Sequence, residues 1–114
     1  MKVVFFTFGK ETGCFIHAFL NALDMVEAGH EAKIVIEGQS TSLLPELFKE
    51  GTPLYGLYQK AEKLGIVAGV CKACAQKAGT FTFAQEKGFN ILSEMMGHPS
   101  MRKWMEKGFT IIVI

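Results

Sequence analysis

Three cysteines are too few, and odd in number, for the disulfide framework of a small secreted domain. An excess of charge of one sign is also missing. Twelve basic residues face eleven acidic ones, a net charge of +1, which leaves no electrostatic footprint for nucleic acid or an anionic membrane surface. No apolar run approaches the length of a membrane span; the longest, around Leu64–Cys71 and Phe109–Ile114, are strand-sized. The opening Met1-Lys2-Val3-Val4-Phe5-Phe6 is not followed by a small-residue cleavage pattern, so the expected compartment is the cytoplasm. The segment Gly9–Gly13 lacks the Gly-Lys-Ser/Thr ending of a phosphate loop, and neither GxGxxG nor GxSxG occurs. No cofactor follows from these motifs. With a single close cysteine pair there is no structural zinc ribbon, and no metal-ligand set is complete.

What is present suits a well-packed core. The chain of 114 residues is 49% hydrophobic and 20% charged, the size and balance of one ordinary domain spanning 1–114. Val3–Phe8, Ala32–Ile36, Ile66–Val70, Phe89–Leu92 and Phe109–Ile114 are short apolar runs bounded by glycine or charge. Their apolar residues are consecutive, the pattern of strands covered on both faces. Between them lie helical segments. Thr12–Ala28 carries an apolar row of Ile16, Leu20 and Leu23, widened by Phe15, Phe19 and Val26, with His17, Asn21 and Asp24 opposite. Ser40 or Thr41 is placed to cap a short helix over Leu43–Lys49. Leu54–Leu64, Lys72–Lys77 and Phe83–Lys87 follow, and Pro99 is expected at the first position of a last helix through Lys107. Alternating strands and helices predict a three-layer α/β/α fold with a mainly parallel sheet of about five strands. Surface apolar residues at Leu54, Tyr55, Leu57 and Tyr58, with methionines near Trp104, suggest either core packing or an oligomer interface.

Sites in such folds form outside the carboxyl ends of the strands. That rule gathers Cys14, Glu37, Cys71, Cys74 and His98 at one edge of the sheet and sends His30 to the other. Cys71 and Cys74 carry the strongest signal. A thiol at a helix N-terminus meets free backbone N–H groups, which favour the thiolate, and Lys72 adds a nearby cation. Cys74, one turn on, is placed to resolve a disulfide or share a metal with Cys71. Cys14 occupies a second helix start, where it is equally well read as a small packing residue. His98 before Pro99 reads first as a turn residue, and Glu37 as an acceptor for loop amides. Cys14, Cys71, Cys74 and His98 include suitable metal-ligand types, but nothing in their spacing joins them.

The segment Ile66-Val67-Ala68-Gly69-Val70-Cys71-Lys72-Ala73-Cys74-Ala75-Gln76-Lys77-Ala78-Gly79 runs from an apolar strand through a cysteine into a small-residue helix closed by glycine. It resembles the DsrE/DsrF-like family, which includes the TusD sulfur-relay subunit and YchN-type proteins. The order of elements extends the likeness through Gly29-His30-Glu31, Ile36-Glu37-Gly38 and Gly108-Phe109-Thr110-Ile111. The resemblance implies a parallel α/β/α fold and a homo-oligomer, trimer or hexamer. It also implies a persulfide carried on Cys71 between a sulfur donor and an acceptor protein. Cys74 departs from the family pattern, which has a small residue there. Three functions therefore compete: a sulfur carrier or relay subunit with sulfurtransferase-type chemistry, a thiol–disulfide protein using Cys71 and Cys74, and a soft-metal-binding oligomeric module. Lys72, Cys14 and His98 are the expected supporting residues around the substrate.

Overall fold

The computed structural model describes residues 1–114. Five strands, β1 (Lys2–Thr7), β2 (Glu31–Ile36), β3 (Val67–Cys71), β4 (Ile91–Leu92) and β5 (Thr110–Val113), form one sheet in the order β4-β3-β2-β1-β5, every pairing parallel. The helices are α1 (Thr12–Glu27), α2 (Pro53–Lys63), α3 (Lys72–Ala78), α4 (Phe81–Glu86) and α5 (Met101–Glu106), and a 3-10 helix occupies Gly38–Phe48. The α/β fold expected from the alternation is the one observed. No helix is long and apolar enough to cross a membrane.

Because successive strand residues point to opposite faces, each buried strand feeds two cores. Val3 and Phe5 of β1, with Ala32, Ile34 and Ile36 of β2, pack against α1, the 3-10 helix, α2, α3 and α4. Val4, Phe6 and Val35 point the other way, onto Met101 and Trp104 of α5, with Phe109 edge-on to Trp104 at 4.9 Å. This division explains the runs of consecutive apolar residues in both strands.

Several local expectations shift. The buried row of α1 is Phe15, Ala18, Phe19 and Ala22, whereas Leu20 is exposed. The small alanines let the helix sit close on the sheet and rotate the bulkier leucines toward its flank. Ser40 and Thr41 do not cap a helix. The 3-10 helix starts at Gly38, and their hydroxyls donate to the Gly9 carbonyl and to the Gly38 and Cys74 carbonyls, respectively. Pro99 precedes α5 rather than opening it; Ser100 is the cap, its hydroxyl accepting from the Lys103 N–H. Leu54 and Tyr58 belong to the main core rather than the surface. Strand β4 is shorter than Phe89–Leu92, since Phe89 turns into that core.

Helices α3 and α4, which leave β3, lie on the main-core face, while α5, which leaves β4, lies on the opposite face. Two neighbouring strands whose exits diverge in this way open a crevice at their carboxyl ends. Here that divergence falls between β3 and β4.

Candidate functional site

Cys71 is the last residue of β3 and the N-cap of α3. Its sulfur accepts the Cys74 N–H at 3.4 Å and lies within 3.5 Å of the Gly97 carbonyl. The same Gly97 carbonyl accepts the Ala73 N–H at 2.9 Å, so two free amides at the start of α3 find partners here. Gly97 belongs to a tight turn in which Met95 and His98 exchange backbone hydrogen bonds of 2.8 and 2.9 Å. Both central residues have positive φ, Met96 at 48° and Gly97 at 88°. A Cβ on Gly97 would stand 3.1 Å from the Ala73 Cβ, so glycine lets the turn dock on α3. Glu94 fixes the far side, accepting the Ser100 N–H at 3.0 Å and pairing with Lys103.

This docking delivers His98 to the thiols. Its Nδ1 lies 3.2 Å from the Cys71 sulfur, 3.8 Å from the Cys74 sulfur and 3.7 Å from Glu37 Oε1. Glu37 follows β2 next to Gly38, whose φ of 56° turns the chain so closely over Phe8 that a Cβ would meet the Phe8 carbonyl oxygen at 2.9 Å. Its carboxylate takes no loop amide, contrary to expectation, and faces His98 instead.

Four of the five residues assigned to this edge thus converge, and Cys14 does not. In α1 the adjacent Phe15 faces the core, and a helix turns about 100° per residue, so Cys14 points to solvent. Lys72 makes no hydrogen bond or ion pair with either thiol. The lysines near the site are Lys10 and Lys77, which with Gln39, Ser42, Cys74 and His98 line a pocket of 610 Å³. Neither lysine belongs to a local motif, and only the sheet order brings them together. His30 lies at the opposite edge, as expected, with its Nδ1 2.8 Å from the Met1 amino group.

The thiols are unequal. Cys74 lines the pocket, while Cys71 is fully buried behind it. Burial pushes the Cys71 thiol up to about 12. Contacts with the Cys74 side chain and the Glu37 charge push it the same way, and only the Cys74 N–H opposes them. The thiolate expected at this helix start therefore gives way to a neutral thiol, because desolvation outweighs the few N–H groups of a seven-residue helix. Burial also raises the Glu37 carboxyl, with the His98 charge acting in the other direction.

No protein-family model and no solved structure matches the chain. An uncharacterized protein of Archaeoglobus fulgidus is 39% identical over 51 residues, covering 45% of this chain and 82% of that protein. The uncharacterized protein MJ0733 of Methanocaldococcus jannaschii is 30% identical over 120 aligned residues, covering 98% of this chain and 94% of that protein. At that identity and coverage, the chain belongs to the family of the Methanocaldococcus jannaschii protein.

Proposed function

We propose that the chain is a cytoplasmic sulfur carrier or relay subunit, working as a homo-oligomer between a sulfur-donor and a sulfur-acceptor protein. One observation carries this reading: two adjacent thiols of unequal exposure share a histidine at the mouth of a basic pocket. The family resemblance names Cys71 as the carrier. Its burial favours Cys74 as the thiol that meets the donor, with Cys71 behind it. The Cys74 proton passes to His98 Nδ1. The sulfur of Cys74 then attacks the outer sulfur of a donor persulfide, forming one S–S bond as another breaks, and the donor leaves as a thiolate. Lys10 and Lys77 suit an anionic persulfide or an acidic partner surface.

A thiol–disulfide couple is less well supported. It needs Cys71 as a thiolate to attack the Cys74 sulfur of a persulfide or mixed disulfide, closing the Cys71–Cys74 bond as hydrosulfide or a thiolate leaves, and a thiol at about 12 rather than 9.0 is ionised about a thousandfold less near neutral pH. The same property lengthens the life of a persulfide on Cys74.

The test uses the Cys14→Ser protein, reduced, exposed to inorganic polysulfide and alkylated before digestion. Trypsin cleavage after Lys72 separates Cys71 from Cys74, so mass spectrometry assigns the added sulfur. One sulfur atom on the Cys74 peptide, lost in Cys74→Ser, is the expected result. Free reduced thiols with no adduct would defeat the reading.

A further inference from the structure

The geometry points to a second occupant of the same corner: a divalent zinc-type metal ion held by Glu37, Cys71, Cys74 and His98. Their ligand atoms all lie within 4.8 Å of one another. A tetrahedral zinc ion with ordinary bond lengths sets sulfur and nitrogen ligands about 3.5 Å apart and nitrogen and oxygen about 3.3 Å apart. The observed sulfur–nitrogen separations are 3.2 and 3.8 Å, and the nitrogen–oxygen separation is 3.7 Å. Adjustments of a few tenths of an ångström would bring these three edges onto that figure.

The donor set has the right chemistry. Two sulfurs and an imidazole suit a borderline-soft ion, and a carboxylate completes a four-coordinate shell. The ligands come from the exits of β2, β3 and β4, so the parallel sheet brings them to one edge. The surroundings hold them in place. The Cys74 N–H donates to the Cys71 sulfur, the Thr41 hydroxyl donates to the Cys74 carbonyl at 3.1 Å, and the docked turn holds His98. Cys74 and His98 line the pocket, which gives an ion its way in. The fourth ligand is Glu37, not the Cys14 that its residue type would suggest.

Binding replaces the two thiol protons with bonds to the metal, releases both protons to solvent and involves no electron transfer. It also occupies both sulfurs, so the metal-loaded protein is closed to sulfane sulfur. This inference does not depend on the sulfur reading.

The test starts from reduced, metal-free protein titrated with zinc chloride, and with cobalt(II) as a spectroscopic probe. The expected result is one metal ion per chain, protection of Cys74 from a thiol reagent and the absorption of tetrahedral thiolate-bound cobalt, all retained in Cys14→Ser. Cys74→Ser should lose stoichiometric binding. Glu37→Gln should weaken it by at least the roughly tenfold that even an outer-sphere partner costs. Cys74 is partly exposed, so its variant avoids the folding risk of replacing Cys71, and circular dichroism confirms the fold of each variant. Failure of the folded wild type to retain zinc against a micromolar chelator would overturn the inference. So would equal loss of binding in Cys14→Ser. Zinc binding by a protein that takes up no sulfur would leave this inference standing and remove the relay reading alone.

Discussion

Replacing Cys71 by serine should make the protein less sensitive to alkali. Serine keeps an N-cap acceptor for the Cys74 N–H and removes the titrating thiol. In the wild type the folded-state value of this thiol, about 12, lies above its unfolded value of 9.0. The native state therefore holds a proton that the unfolded chain gives up first. The resulting stability is complete below pH 9.0 and is lost as the pH rises toward 12. At about pH 10.5 the loss from Cys71 is about 2 kcal/mol. Tyr58, pushed by burial from 10.0 to about 12, behaves in the same sense. Its share at that pH is about 1 kcal/mol and is common to both proteins. Urea unfolding of wild type and Cys71→Ser at about pH 8 and about pH 10.5 isolates the difference. The wild type should lose about 2 kcal/mol more than the variant across that interval. Equal losses would show that the thiol is not desolvated in the native state.

Gly69→Ala should destabilise the protein by about 1–3 kcal/mol by overpacking and pry β4 from β3. Its Cβ would stand 2.7 Å from Leu92 Cγ and 2.8 Å from the Asn90 carbonyl oxygen, and urea unfolding measures the loss. Met96→Asn should stabilise by about 0.5–1 kcal/mol, because asparagine tolerates positive φ better than methionine. Met96 is 98% exposed, so no packing is lost, and the urea midpoint should rise at unchanged slope.

Much of this fold could be read from residue patterns. The unbroken Val3–Phe6 run requires cover on both faces, and the structure supplies it from α1 on one side and Trp104 on the other. Pairing Cys71 with Cys74 was equally legible, since both lie within one turn of sequence. The strand-end rule also brings Glu37 and His98 to this edge, but does not reveal their contact with the thiols, because tertiary geometry decides it. Glu37 is 34 residues from Cys71 in sequence and meets it because β2 lies beside β3. Cys14 stands in the first turn of a helix as Cys71 stands at the start of one, yet one position of helical phase turns it outward. The thiolate expectation failed for a related reason. Helix position is a local property, whereas the burial of Cys71 depends on a turn that arrives from residues 95–98.

That turn hangs from the sheet by a two-residue strand at its edge. Local opening of this corner should therefore cost less than unfolding the whole chain. Cys71 is buried beneath this turn, so opening of the corner would expose it. Hydrogen exchange at the Val70 and Ala73 amides, which donate to Asn90 and Gly97, would report the same event. The rate at which a bulky reagent finds Cys71 is then set by how often the corner opens as well as by the reactivity of its sulfur.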